Sequence, residues 1–367
     1  MQQIHVLHVV GEMNIGGIEN MLMTIMPYMK SKGIFFDFAV HGKNIGFHEK
    51  KIEQLGGHVF HLPKFYGLNI IPYILAWYRV LKTNTDFKII HGHMTSTASL
   101  YLLLAKMNGK IAIAHSHNTG HRGNLISKII KRIMEYPLRY IGDYFFACSQ
   151  AAAKFRFGKK ILYNKKYYLW RNPVDTAKFC FSEEKRKRYR EKLHVGGDLL
   201  IGHVGRMTYQ KNHSYLLDVF YAYHKINSHS KLLLLGDGEL RNEIEFKVKK
   251  MKLKNAVIIA GAVSNPEDYL SAMDVFLMPS RWEGFGVAVI EAQTNGLPCL
   301  VSEAFQDESC ISNNMHKLSI NEEPFVWAEK IAQLKRNVKD ELPNNPYDIK
   351  LVAGEIEKLY SEMFVEK

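Results

Sequence analysis

Two glutamates eight positions apart frame a glycine-rich turn in Pro279-Ser280-Arg281-Trp282-Glu283-Gly284-Phe285-Gly286-Val287-Ala288-Val289-Ile290-Glu291-Ala292. In one continuous helix that spacing is about 12 Å. With Glu283 in a loop and Glu291 inside the helix that follows, the carboxylates can hold opposite ends of one extended ligand. The amides of Gly284, Phe285 and Gly286 would lie between them, aimed at hydroxyls or phosphates. A second stretch, Gly205-Arg206-Met207-Thr208-Tyr209-Gln210-Lys211-Asn212-His213, carries two cations, with Asn212 placed to cap the next helix. Arg206 can engage phosphate oxygens through two donors and Lys211 as a point charge, at roughly 1.5–3 kcal/mol for each charge-assisted bond. Carboxylates for hydroxyls beside cations for phosphates describe a sugar nucleotide. The plainer alternatives are a capping Glu, a surface Glu and two surface cations.

The first half supplies uncharged candidates. A strand-like run over 4–10 leads into Gly11-Glu12-Met13-Asn14-Ile15-Gly16-Gly17, and helical pattern follows from Ile18 to about Lys30. Paired glycines before a helix let N–H groups approach an anion closely, with the helix dipole adding to the attraction. An ordinary tight turn is the other reading. The pattern is neither Gly-x-Gly-x-x-Gly nor Gly-x-x-x-x-Gly-Lys-Ser/Thr, which argues against a dinucleotide site or a P-loop. His115-Ser116-His117-Asn118 ends another apolar run, where imidazole and amide can hydrogen-bond hydroxyls or stabilise charge. The chain has 17 histidines, so His117-Asn118 stands out only by its place.

Such loops need strands that end at them. Among the 367 residues, strands are expected over 4–10, 35–40, 58–62, 88–91, 111–115 and 144–148, then over 199–204, 231–235, 256–260, 274–278 and 298–301. Their alternation with amphipathic segments indicates parallel sheets with helices on both faces, and two successive sets indicate two doubly wound domains. Ligands of such sheets bind beyond the carboxyl ends of the strands. Pro173 disfavours helix at Asn172, which puts the link near Arg171-Asn172-Pro173. The expected domains are 1–171 and 172–343, with a final helix in 344–367. The run from Glu183 to Arg188 reads as one solvated helical face.

Apolar residues at 47% and charged residues at 23% exclude general disorder. No apolar stretch reaches the length of a membrane span, and Met1-Gln2-Gln3-Ile4 lacks the basic start of a signal peptide. Four scattered cysteines, Cys148, Cys180, Cys299 and Cys310, exclude a disulfide framework and a Cys-x-x-Cys zinc site, and fit a reducing cytoplasm. The net charge of +13 is lopsided: residues 1–171 hold 23 basic and 8 acidic side chains, and the rest hold 26 and 28. Between His121 and Tyr140, Leu125, Ile126, Ile129, Ile130, Ile133 and Met134 recur at helical spacing beside Arg122, Lys128, Lys131, Arg132 and Arg139. This is either a core-facing helix or a contact with anionic lipid headgroups, worth about 1 kcal/mol per basic residue near the surface. No nucleic-acid recognition motif accompanies the charge.

These motifs together resemble glycosyltransferase family 4, retaining enzymes of the GT-B fold that use nucleotide sugars. The likeness spans nearly the whole chain: Gly16-Gly17-x-Glu19, His115-Ser116-His117-Asn118, Asn172-Pro173-Val174-Asp175, Gly205-Arg206 with Lys211, Gly236-Asp237-Gly238 and, most specifically, Pro279-Ser280 leading to Glu283-x7-Glu291. The histidine string and Gln210-Lys211-Asn212-His213 are similar to the bacterial subgroup that builds capsular, exopolysaccharide and O-antigen repeat units. The resemblance implies an α/β GT-B architecture, two Rossmann-like domains facing across a cleft. The N-terminal one would take the acceptor, the C-terminal one the donor, and the last helix would be free to return to the N-terminal domain.

By the same resemblance, Arg206 and Lys211 hold the donor diphosphate beside Gly205, with Gly16 and Gly17 approaching it. Glu291 takes the ribose, and Glu283, Gly284, Phe285 and Gly286 take the transferred sugar. His117 lies beside that sugar, with His115 and Asn118 on the acceptor side. Catalysis is implied for His117, Glu283, Arg206 and Lys211, with Glu283 not a nucleophile. No cofactor or metal is expected, since no Asp-x-Asp occurs in a suitable loop. Ser302-Glu303-Ala304-Phe305-Gln306-Asp307-Glu308 departs from the Gly-Gly-x-x-Glu element often found there. The implied reaction moves a sugar from a nucleotide diphosphate, UDP by family frequency, to a polyprenyl-diphosphate-linked or other sugar acceptor. The enzyme would be cytoplasmic and peripheral on the inner face of the plasma membrane, held on anionic lipid by Lys128, Lys131, Arg132 and Arg139. A sugar-nucleotide 2-epimerase of related fold would leave the basic surface unexplained. Against a non-catalytic partner subunit stands the intact set of Arg206, Lys211, Glu283 and Glu291.

Overall fold

The computed structural model describes residues 3–14, 16–83, 86–94, 96–120, 124–336 and 345–365. Ile15, His121, Arg122 and the expected boundary at 343/344 lie outside them. The chain divides into two compact units, Met1–Pro173 with Pro346–Lys367, and Val174–Asn345.

The first unit is built on seven parallel strands: β1 (Ile4–Val10), β2 (Ile34–His41), β3 (Val59–Leu62), β4 (Phe87–Gly92), β5 (Ile111–Ser116), β6 (Tyr144–Ala147) and β7 (Tyr167–Leu169), in the order β3-β2-β1-β4-β5-β6-β7. Helices cover both faces, so the central strands read as nearly unbroken apolar runs. Helix Gly17–Ser31 buries Met21, Leu22, Ile25, Met26 and Met29. The C-terminal helix Ile349–Val365 belongs to this unit and buries Val352, Ile356, Tyr360 and Met363 in the same core. β7 escaped the sequence pattern because it is three half-buried residues at the sheet edge.

The second unit has β8 (Leu199–Val204), β9 (Ser230–Leu235), β10 (Val257–Gly261), β11 (Val275–Met278), β12 (Cys299–Ser302) and β13 (Met315–Leu318), in the order β10-β9-β8-β11-β12-β13. β13, Met-His-Lys-Leu at an edge, was also invisible to the pattern. In both sheets the order turns back beside the first strand, at β1/β4 and β8/β11, the crevice at which doubly wound sheets bind ligands.

Two expectations need correction. The segment to Tyr140 is not one helix. Asn124 caps Leu125–Glu135 by accepting the Ser127 N–H at 2.9 Å, and Pro137 then separates it from the short helix Leu138–Ile141. Nor does the long piece face a core: Leu125, Ile126, Ile129, Ile130 and Ile133 are 50–73% exposed, while Glu135 is buried and pairs with Arg156. The run from Glu183 is likewise not merely solvated. Arg186 reaches Asp274 at 2.6 Å, and Arg190 further along the helix reaches it at 3.0 Å.

Candidate active site

In the second unit, the loop after β8 carries Arg206 and Lys211, and the loop after β11 carries Glu283. The two loops are stitched together. Gln210 Nε2 donates to the Trp282 carbonyl at 2.9 Å, the Arg281 N–H to the Gln210 carbonyl at 2.8 Å, and Asn212 Nδ2 to the Pro279 carbonyl at 3.2 Å. Asn212 therefore does not cap the next helix with its side chain. It sits in the left-handed region at φ 56° and ties the loops instead.

Lys211 Nζ donates to Glu283 Oε1 at 2.7 Å, and the Glu283 carboxylate is nearly inaccessible, so cation and anion neutralise one another. Arg206 is exposed, and among the described residues its guanidinium has no hydrogen bond or ion pair. Its backbone is held tightly: the Met207 N–H donates to the Asp237 carbonyl at 2.9 Å, and a Cβ on Gly236 (φ +130°) would lie 2.1 Å from the Gly205 carbonyl oxygen. The after-β9 loop thus leaves no room for a side chain at 236.

Gly286, at φ +81°, ends the turn and opens helix Val287–Thr294. A Cβ there would meet Phe305 at 2.2 Å, so the segment that departs from the family pattern packs against the turn through a buried Phe305. Gly284 is half-buried and Phe285 buried. Glu291 lies inside the helix, where burial raises its carboxyl to about 7, opposed by Lys178 and reinforced by Glu267. Lys178 pairs with Glu267 at 3.3 Å and was not foreseen, since it lies more than a hundred residues from Glu291 in sequence.

In the first unit, helix Gly17–Ser31 starts one residue before the expected Ile18. Glu19, three residues after the Gly16 cap, folds back so that a Cβ on Gly16 would lie 2.2 Å from its Oε2. This is the reach of a capping-box glutamate, and it places the chain's own carboxylate at the helix start where the sequence suggested an incoming phosphate. Burial raises the Glu19 carboxyl above the ordinary carboxylate range.

His117, half-buried past β5, is held by a contact from its Nε2 to His93 Nδ1 at 2.8 Å, and Asn118 beside it is exposed. Burial and the nearby Arg156 cation hold the His117 imidazole down at about 3, so it is neutral. His115 is not an acceptor contact. It is 1% exposed within β5, bonds His91 at 3.0 Å and packs on Trp170, which makes it internal support. His8, His91, His93 and Tyr360 gather around these residues and were missed. The -x- spacing of His91/His93 and His115/His117 was the available signal, since alternate residues of a strand share a face.

Of the residues expected to meet lipid, Lys128 and Arg132 are exposed, Lys131 is half-buried, and Arg139 is half-buried over the Tyr136 ring at 4.2 Å. Among the described residues no helix is long and apolar enough to cross a membrane.

Residues 15–178 match the family described as Glycosyltransferase Family 4, and residues 184–347 match Glycosyl transferases group 1. The chain is 28% identical to a protein named as glycosyltransferase EpsF of Bacillus subtilis, over 98% of this chain and 97% of that one. It is 25% identical to the UDP-Gal:alpha-D-GlcNAc-diphosphoundecaprenol alpha-1,3-galactosyltransferase of Escherichia coli, over 80% of each. Its fold matches the crystal structure of Anabaena Alr3699/HepE in complex with UDP and glucose, with TM-score 0.80 at 16% identity, over 98% of this chain and 100% of that one.

Proposed function

From the premise that this chain belongs to the family 4, group 1 glycosyltransferases of GT-B fold, we propose that it transfers a sugar, with retention, from UDP to a lipid-diphosphate-linked sugar acceptor. The membership itself makes it a glycosyltransferase, with relatives named in bacterial surface-polysaccharide synthesis. The observation that carries the finer reading is Arg206, without a side-chain partner among the described residues, on the same loop as the Lys211 that pairs with Glu283, at the carboxyl ends of β8 and β11.

A donor diphosphate meets Arg206 and Lys211. As Lys211 turns to the phosphates, Glu283 is freed to accept hydrogen bonds from hydroxyls of the transferred sugar. Glu291 takes the ribose hydroxyls. In the first unit, neutral His117 bonds a sugar hydroxyl. The bond from the anomeric carbon to the phosphate oxygen breaks, and the acceptor oxygen bonds that carbon on the same face. The acceptor proton passes to the departing phosphate, whose charge the two cations stabilise in place. The cations do this without a metal.

The acceptor reading draws on the lipid-linked substrate in the name of the Escherichia coli relative and on helix Leu125–Glu135. Its outward isoleucines flanked by Lys128 and Arg132 suit a helix lying in the interface of an anionic membrane. Nucleotide sugars screened against lipid-diphosphate acceptors, with product anomers read by NMR, test the whole. Retained transfer from a UDP-sugar is expected. An inverted product, or an epimerised donor formed without acceptor, overturns it.

A further inference from the structure

Five histidines line one face of the first sheet: His8 on β1, His91 and His93 on and just past β4, His115 on β5 and His117 beyond it. They form two strings. In one, His117 Nε2 meets His93 Nδ1 at 2.8 Å and His93 Nε2 meets His8 Nδ1 at 2.9 Å. In the other, His115 Nδ1 meets His91 Nε2 at 3.0 Å and His91 Nδ1 meets the Tyr360 hydroxyl at 2.7 Å. The strings stack on each other, His91 on His93 at 4.4 Å and His115 on His117 at 3.9 Å. Burial holds His8 down at about 3 and His93 well below the ordinary histidine value, so the first string is neutral.

A neutral imidazole carries one N–H. Three such rings joined by two contacts hold three protons. Each contact takes one, and the third must sit at an end, on His8 Nε2 or on His117 Nδ1. The two ends are therefore coupled across the sheet. His8 Nε2 is buried without a partner among the described residues. Its ring lies by Phe36 at 4.1 Å, Phe38 at 5.7 Å and, near perpendicular, Tyr360 at 6.5 Å. Aromatic π density attracts an N–H and repels a lone pair. With the third proton on His8, His93 Nε2–H donates to His8, His117 Nε2–H donates to His93, and His117 Nδ1 is left bare.

We propose that His93, anchored by His8, is a positioning residue that fixes this tautomer of His117, presenting Nδ1 as an acceptor for a hydroxyl of the sugar substrate. The inference rests on the reading above that His117 meets that sugar. The same histidines form two groups of three with ring nitrogens within 4.8 Å of one another, a spacing open to a metal ion. The contacts of 2.9 and 2.8 Å within these groups favour hydrogen bonds, since nitrogens around a tetrahedral ion with bonds of about 2.0–2.1 Å stand about 3.3 Å apart.

The test is nitrogen NMR of histidine-labelled protein with steady-state kinetics. In the parent, His117 should show the Nε2–H form alone. His93→Phe should mix the two tautomers and lower kcat about tenfold, the scale on which orienting partners act, with donor KM unchanged. His93→Gln, which still offers an acceptor, should restore part of the loss. Added to His117→Ala, His93→Phe should cost nothing more, whereas a merely structural role would be additive. A parent His117 protonated on Nδ1, or one zinc ion bound per chain and lost in His93→Phe, overturns the tautomer assignment without any variant needing to be active. If His117→Ala keeps full turnover while the parent shows the Nε2–H form, the sugar contact falls and the tautomer control stands.

Discussion

The loops and helix after β8 and β11 of the second unit carry Arg206, Lys211, Glu283 and Glu291, whereas the end of β5 in the first carries His115, Ser116, His117 and Asn118, uncharged. The second unit holds its charges in part against each other, Lys211 on Glu283 and Lys178 on Glu267, with both Lys178 and Glu267 felt at Glu291. At His115 and His117 the first unit turns its polar groups inward into hydrogen-bonded strings, and it leaves Lys128 and Arg132 exposed on an outer helix. On the proposed function, similar sheet topology would serve two kinds of recognition, ionic at one set of strand ends and hydroxyl-directed at the other.

Removing the cations should break this contrast most sharply. Arg206→Ala should lower kcat by about 100- to 1,000-fold, the cost of losing a fixed group that stabilises developing charge. It should leave the melting temperature unchanged, because that side chain is exposed and unpaired among the described residues. Lys211→Ala should lose as much activity and also stability, because it leaves the Glu283 carboxylate buried without its partner. Equal melting temperatures for the two variants would mean that the Lys211–Glu283 pair does not hold in solution.

Glu291→Ala should weaken nucleotide diphosphate binding by roughly 1–3 kcal/mol, the scale of charged hydrogen bonds. Calorimetry with UDP and GDP reads it, and unchanged affinity for both sinks the ribose role. The carboxyl raised to about 7 adds a pH signature. From the ordinary 4.5 up to about 7, the folded chain keeps a proton there that the unfolded chain has released. That contribution to stability is full below 4.5 and is lost as pH rises through 7. Glu291→Gln should flatten the stability change over this window. UDP affinity should tighten several-fold in the parent from pH 6 to 8, as the ionised form accepts ribose hydroxyls, and not in the variant.

The legible parts of the molecule are those fixed by local pattern. Core strands such as 4–10 and 199–204 stood out as apolar runs, while β7 and β13, short and at edges, had neither length nor alternation to betray them. Arg206, Lys211, Glu283 and Glu291 were readable because each closes on a glycine turn or a strand end. The Lys178–Glu267 pair and the histidine strings were not, since they join residues far apart in sequence, brought together by helix packing in the first case and by strand order in the second. Helix Leu125–Glu135 shows the limit from the other side: its periodicity was plain, but periodicity does not say whether an apolar face meets a core or a solvent boundary.

A smaller effect is expected from that helix. Lys128→Gln with Arg132→Gln should reduce sedimentation with anionic vesicles at low salt, by about 1 kcal/mol per cation, and the attraction should fade as salt shortens the Debye length to about 8 Å. Lys131 and Arg139, half-buried, should add less when changed to Gln. Ile126→Ser with Ile130→Ser should reduce binding at high salt too, because apolar insertion is not screened. Nucleotide affinity should stay unchanged in all of these, since its proposed residues lie in the other unit. A parent that ignores anionic vesicles at low salt would leave the exposed isoleucines without a membrane role and point to a soluble acceptor.

The smallest expected effect is none. Excess chelator should leave turnover intact, because in the proposed mechanism Arg206 and Lys211 supply the positive charge that a divalent ion would otherwise bring to the departing diphosphate. The comparison between the units makes the outcome diagnostic. A loss restored by Mg²⁺ or Mn²⁺, hard ions that favour oxygen ligands, would implicate the phosphate-facing loops and overturn the cation mechanism. A loss restored only by Zn²⁺, which suits imidazole, would implicate His8, His91, His93, His115 and His117 and replace the hydrogen-bonded strings with a metal centre. Turnover unchanged by chelator, together with the steep loss in Arg206→Ala, would leave the charge on the diphosphate to the side chains of the second unit.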